Sequence, residues 1–200
     1  YAHYPEYLEV AASLAGEENL FFPDIKSREY YFRGVNLRLK ADAMKNPPDS
    51  MLQRAIRLQK QALELNFMAP HVHNELGLLY RDLKQTDQEI FHFQRANALA
   101  PTWGLVLTNL GATYQRQSQY ELAKEMYLQA LSRDSSLALA HYNLGVLYEE
   151  NAEPEAAVAS YQKTLEADSS FADAYYNLAS VYADDEALFP QALELLGRFQ

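Results

Sequence analysis

Cysteine is absent from the sequence. That excludes disulfides, thiolate-held zinc and cysteine nucleophiles, and it fits an expected cytoplasmic location. Seven glycines and eight prolines leave little room for low-complexity linkers. None of the glycines falls in the GxGxxG or GxxxxGK spacing of a phosphate-cradling loop. No apolar run approaches the roughly 18 residues of a membrane-spanning helix, and no signal peptide is visible. Positive charge is also scarce, with 17 Lys and Arg against 27 Asp and Glu, a net charge of −10. A phosphate backbone needs a basic face, so nucleic acid is a poor partner. The deficit is concentrated at one end. Residues 138–200 hold 11 acids against Lys163 and Arg198 alone, a net charge of −9.

Reaction chemistry is equally sparse. His71 and His73, two apart on a helix, point about 160° away from each other, which argues against a shared metal site. His73 and His141 stand at one recurring position and read as packing or surface residues. The acidic pairs Glu149-Glu150 and Asp184-Asp185 lack a neighbouring nucleophile motif and read as solvated charge rather than acid–base machinery. Neither a cofactor nor an enzymatic activity is expected.

What is present is a period. Leu76-Gly77, Leu110-Gly111, Leu144-Gly145 and Leu178-Ala179 recur every 34 residues. Tyr80, Tyr114, Tyr148 and Tyr182 follow with the same spacing. So do Phe93, Tyr127 and Tyr161, and then Ala96, Ala130 and Thr164. A fixed period of this size indicates stacked supersecondary units. Leu76 and Tyr80, four apart, share a helix face. A glycine inside a helix costs roughly 1 kcal/mol against alanine, so close approach of a second helix is its expected compensation. Ala123 and Ala157 are the small residues expected to face Gly111 and Gly145. Glu89 takes that place in the unit before, and is expected either to rotate outward or to splay its helix pair.

This array resembles the tetratricopeptide repeats, 34-residue helix–turn–helix units, from Pro70 to Tyr182. The resemblance implies an all-α, right-handed solenoid of about five helix pairs plus an extra N-terminal helix. Residues 1–26 are assigned to an N-terminal capping helix and its connection, with Phe21 and Phe22 just before Pro23. Residues 27–69 are assigned to a degenerate first repeat, helical from a Ser27 N-cap to about Lys45. Its second helix is capped by Asp49 or Ser50. From Gly34 to Gly77 is 43 residues, nine more than the period, and the excess is placed in the first helix and its loop. Regular repeats follow at 70–103, 104–137 and 138–171, with a shortened one at 172–200. First helices are expected at about 70–83, 104–117 and 138–151, and second helices at about 86–99, 120–133 and 154–167. The chain begins at Tyr1 without Met, and the expectation is a piece of a longer protein. The apolar Leu195, Leu196 and Phe199 are expected to meet a further repeat or a second copy.

Asn109, Asn143 and Asn177 each precede the Leu of their repeat. In this they are similar to the groove of the tetratricopeptide domains of O-linked N-acetylglucosamine transferases and kinesin light chains. There a row of amides on the first helices holds an extended peptide by its backbone. A carboxamide offers two donors and an acceptor, so it can pair with any peptide group. Upstream Glu75 breaks the row, with Asn74 adjacent. The other groove candidates are Arg81, Arg116, Tyr142, Tyr176, Glu149, Glu150 and Asp173. The family's carboxylate clamp needs basic groove residues, whereas the matching positions here are His71, Glu75, Leu105, Leu139 and Asp173, so that mode is rejected. The implied function is a protein-interaction module for an extended peptide or partner segment, with basic side chains favoured by the acidic half. The alternatives are a recognition arm of a larger enzyme and a scaffold that self-assembles through the ends of the array.

Overall fold

The computed structural model describes residues 24–183 and, near the C-terminus, 190, 191, 193 and 197. The expected N-terminal helix before Asp24, the pair Asp184-Asp185, and Leu195, Leu196 and Phe199 lie outside the described residues. Among the described residues all regular structure is helical. The helices are α1 (Ile25–Asp42), α2 (Asp49–Leu65), α3 (Pro70–Asp82), α4 (Thr86–Leu99), α5 (Gly104–Arg116), α6 (Tyr120–Arg133), α7 (Ala138–Glu150), α8 (Pro154–Ala167) and α9 (Ala172–Ala183). The chain divides into two compact units at Pro101 and Thr102.

In the first unit α1 packs on α2, α2 on α3 and α3 on α4. Its core joins Leu52, Ala55, Ile56 and Ala62 of α2 to Val72, Leu76, Leu79 and Tyr80 of α3. The nine extra residues lie in three places. α1 runs eight residues past Gly34, where α3 runs five past Gly77. The connection at 43–48 has six residues, where 83–85 has three. α2 runs ten residues before Gln59, where α4 runs seven before Phe93. Gln59 stands where later pairs carry an aromatic. Its Nε2 lies 2.5 Å from where a β-carbon on Gly34 would be and donates to the Tyr31 carbonyl at 3.1 Å.

Two expected caps are corrected. Asp24, not Ser27, caps α1, its carboxylate accepting from the backbone N–H groups of Lys26 and Ser27. Ser27 is buried one turn in, where its hydroxyl donates to the Ala62 carbonyl at 3.0 Å. The residue before α2 is Pro48, which makes no side-chain cap, and Asp49 is already helical. α1 stops at Asp42 rather than near Lys45.

In the second unit α5–α6 and α7–α8 are antiparallel pairs, α6 packs on α7, and α8 packs on α9. Tyr127, Leu144 and Leu147 fill one layer with Ala123. Tyr161, Phe171, Ala174 and Leu178 fill the next with Ala157. Thr164 takes an alanine position at no polar cost, because its buried hydroxyl donates to the Ser160 carbonyl at 3.0 Å.

The glycine partners also differ from expectation. The ring of Tyr127 lies over Gly111, Tyr161 over Gly145 and Phe93 over Gly77, each nearer than any alanine. Ala123 and Ala157 are buried one turn before these rings. Side chains in a helix lean toward its N-terminus, and the ring from one turn later covers the glycine. Glu89 neither rotates outward nor splays its pair. It is 1% exposed, and Phe93 still closes on Gly77.

The helix-pair turns carry a feature with no sequence signal. Lys84, Ser118 and Ala152, again 34 apart, have φ of 57°, 58° and 58°. Each follows a first helix. The next residue's N–H returns to the Tyr80, Tyr114 or Tyr148 carbonyl at 2.8–2.9 Å. This six-residue closure is the left-handed helix stop that glycine normally occupies. A β-carbon there costs roughly 1–2 kcal/mol, and glycine's extra chain entropy returns about half of that. Lys84→Gly, Ser118→Gly and Ala152→Gly should each stabilise by about 0.5–1 kcal/mol. Thermal melts of the triple variant should rise by several degrees; an unchanged midpoint would mean these turns are relaxed as they stand.

Candidate functional site

The amide row does not present three equivalent side chains. Asn109 on α5 is 8% exposed, and Asn74 in the first unit is 2% exposed. Neither faces open solvent as a groove residue would. Asn74 belongs to a helix buried at every position from Pro70 to Tyr80. Beside it Glu75, at the ladder position itself, is held by Arg38. The guanidinium Nε meets one carboxylate oxygen at 2.6 Å and Nη2 the other at 3.3 Å, while Nη1 holds Asp42 at 2.8 Å. The break in the ladder is therefore a buried ion pair between α1 and α3.

Asn177 on α9 has a defined polarity. The Tyr161 hydroxyl donates to a Glu149 carboxylate oxygen, which can only accept. Burial, then that bond, push the hydroxyl further above its usual range, so it stays protonated. Its lone pairs must therefore accept, and the Asn177 amide donates to it at 3.3 Å. The same Nδ2 donates to the Tyr142 hydroxyl at 3.2 Å. Tyr142 is fixed from below by stacking on Phe171 at 4.8 Å between centroids. Among the described residues the Asn177 carbonyl oxygen and the Tyr142 hydroxyl proton have no partner. Neither does the half-buried carboxamide of Asn143.

The acidic residues divide similarly. Glu149 is tied to Tyr161, and Glu150 accepts from the Gln115 side-chain amide at 2.9 Å. Gln115 in turn accepts from the Tyr127 hydroxyl at 2.8 Å. Tyr127 and Tyr161 thus do the same thing one repeat apart: each ring covers a glycine, and each hydroxyl reaches a side chain twelve residues earlier. Phe93 lacks the hydroxyl, and the residue twelve before it is Arg81, a donor that lies beside Asp82 at 3.6 Å. Asp173 is exposed, and Tyr176 is 68% exposed. Arg116 is exposed, with one nitrogen 3.4 Å from the Ala112 carbonyl. The structure links Tyr142 and Glu149 of α7 to Asn177 of α9 through hydrogen bonds that include Tyr161, while Asn143, Glu150, Asp173 and Tyr176 lie on the same two helices. Arg81 and Asn74 belong to the other unit. Sequence reasoning missed Gln115 and Tyr161 as members of the network. The twelve-residue pairing of a tyrosine with an acceptor was the available signal.

No group of three or more His, Asp or Glu among the described residues is arranged to hold a metal ion. No described helix is long and apolar enough to cross a membrane.

An array of paired helices whose polar groups cross-link successive first helices is a repeat-type scaffold. Two tetratricopeptide-repeat family models match the chain, one over residues 70–102 and one over 108–170 and 148–196. The chain belongs to the tetratricopeptide-repeat family, whose members are protein-interaction scaffolds. Anaphase-promoting complex subunit 3 of Schizosaccharomyces pombe is 30% identical over 83 residues, covering 42% of this chain and 12% of that protein. The uncharacterized protein ycf37 of Guillardia theta is 30% identical over 64 residues, covering 32% of this chain and 36% of that protein. The matched segments thus span well under two thirds of either curated relative. Among solved structures, Pseudomonas aeruginosa pilF superposes with a TM-score of 0.75 at 17% identity, covering 86% of this chain and 76% of that one. A MamA crystal structure gives 0.64 at 22% identity, covering 86% and 88%. At these identities the likeness is one of fold.

Proposed function

We propose that this chain binds a protein partner without catalysis of its own, holding an extended, basic segment across the first helices α7 and α9. The observation that carries this reading is the polarity of the Glu149–Tyr161–Asn177–Tyr142 chain. Fixed at one end by the Glu149 carboxylate, it leaves an acceptor on Asn177 and a donor on Tyr142, beside the uncommitted amide of Asn143. Peptide groups need that alternation of donor and acceptor. The reading keeps the amide-row idea of the O-linked N-acetylglucosamine transferase and kinesin light chain domains but reduces it to Asn143 and Asn177. Asp173, Glu150 and exposed Tyr176 beside them suit Lys or Arg, through charge and ring-face attraction. Screening acts over about 8 Å at physiological salt, so these charges should act mainly on association rate and selectivity.

The test is selection from a displayed library of random twelve-residue peptides, with the full chain as bait. Enriched peptides should carry Lys or Arg. Asn143→Ala should weaken them tenfold or more with an unchanged melting point. Asn177→Ala should weaken them too, but should also cost roughly 1 kcal/mol of stability, because it strips two tyrosine hydroxyls of a donor. Glu150→Lys with Asp173→Lys should slow association of basic peptides. Enriched peptides indifferent to Asn143→Ala would place binding on another face.

A further inference from the structure

The first unit contains a histidine pair that the binding face does not use. His73 of α3 and His92 of α4 are both buried, and their Nδ1 atoms are 2.9 Å apart. An N–H···N bond between two such atoms needs one proton between them. With none the lone pairs repel, and with two the N–H groups collide. Tyr80 stacks on His92 at 5.4 Å with the rings 11° from parallel, so the ring cannot turn away without breaking that packing.

We propose that this pair is an acid-sensitive latch, holding α3 against α4 while it shares a single proton and releasing them when a second proton enters. The surroundings oppose that second proton. Burial, then the Arg95 charge from α4, lower His73 to about 4. Burial, then His73 and the Lys60 charge from α2, lower His92 to about 4. His71 on α3 lies edge-on to Tyr31 of α1 at 4.8 Å and is lowered to about 3 by burial, then His73. Of the carboxylates on the packed helices, Glu75 is engaged by Arg38. Glu89, buried one turn before His92, does not lift either ring back to the ordinary range.

The sign follows from proton counts. Between pH 6.5 and about 4 the opened unit binds protons that the closed unit excludes. Closure is therefore strongest above pH 6.5 and weakens as pH falls.

The experiment is hydrogen exchange on the full chain from pH 7 to pH 5, corrected for intrinsic rates, with α7 and α8 as the reference. From pH 6 to pH 5 the opening constant of α3 and α4 should rise roughly fifty-fold from the pair and about eight-fold more from His71. His73→Asn with His92→Asn places an amide at each Nδ1 position, keeps a hydrogen bond and cannot titrate. It should leave only the eight-fold part. If that variant does not fold, His92→Asn alone should retain about seven-fold of the pair's fifty. A parent no steeper than the Asn variant overturns the latch, as does α7 and α8 opening with the same slope.

Discussion

Arg38→Met is expected to destabilise the first unit by about 3–5 kcal/mol, the usual cost of leaving one member of a buried ion pair alone. Arg38 and Glu75 side chains are 4% and 2% exposed, and α3 is buried on every side around Glu75. The guanidinium serves three carboxyl groups. It binds Glu75 through two nitrogens and Asp42 through the third. It also acts on Asp82, whose carboxyl is pushed up chiefly by burial, with Arg81 and Arg38 pulling it down and Asp42 adding to the rise. Removing Arg38 leaves Glu75 without a counter-charge and takes a compensating cation from Asp82. The second arm of the test is Arg38→Met with Glu75→Leu. Replacing a whole buried pair by apolar groups of similar size is often neutral or stabilising, so the double variant should recover most of the loss. Urea unfolding of both variants reads this directly. A single variant within about 1 kcal/mol of the parent would mean that water reaches Glu75.

The two roles of the ladder position explain what the sequence could and could not tell. Helix boundaries were legible to within a residue or two from α3 to α8, because each position of the unit has the same physical role in every repeat. Leu fills the interior, Tyr follows one turn on, and a small residue and a ring close the second helix on the first. The first pair was harder. Its nine extra residues are split evenly over two helices and a loop, and Gln59 replaces the ring that marks the position elsewhere. Three left-handed turns escaped notice because Lys84, Ser118 and Ala152 carry no glycine signal. The amide row was legible as a pattern of residue types but not as a set of environments. Whether an Asn is open to a ligand depends on what the neighbouring pair offers. Asn177 meets two tyrosine hydroxyls, and Glu75 in the equivalent place meets an arginine from the pair before. That information lies 16 to 37 residues away in the chain. It becomes readable only once the stacking is known. With the stacking in hand, positions 38 and 75 in the first unit, and 149 and 177 in the second, are equivalent in what they do. Each pair ties a first helix to the next. In one place an ion pair makes the tie, in the other a tyrosine hydroxyl stands between.

Gly111→Ala is expected to cost about 1–3 kcal/mol, and Gly111→Leu more, although alanine is the better helix former by roughly 1 kcal/mol. The added β-carbon would lie 2.5 Å from the Tyr127 ring. Tyr127 is fully buried, and its hydroxyl is fixed on Gln115 at 2.8 Å. The ring therefore cannot retreat without giving up that bond and its layer with Ala123, Leu144 and Leu147. The same argument applies to Gly145 beneath Tyr161, with a further consequence. Displacing Tyr161 disturbs its bonds to Glu149 and Asn177, so Gly145→Ala should weaken peptide binding as well as stability. Gly111→Ala, one repeat away, reaches the proposed face only through Gln115 and the exposed Glu150, so it should affect stability with a smaller effect on binding. A double-mutant cycle with Tyr127→Leu separates clash from helix propensity. Once Tyr127→Leu has removed the ring, the alanine at position 111 should be nearly neutral or stabilising, so the two changes should couple by at least about 1 kcal/mol. If Gly111→Ala instead melts above the parent, the ring is free to move, and the close packing of α5 on α6 does not depend on this glycine.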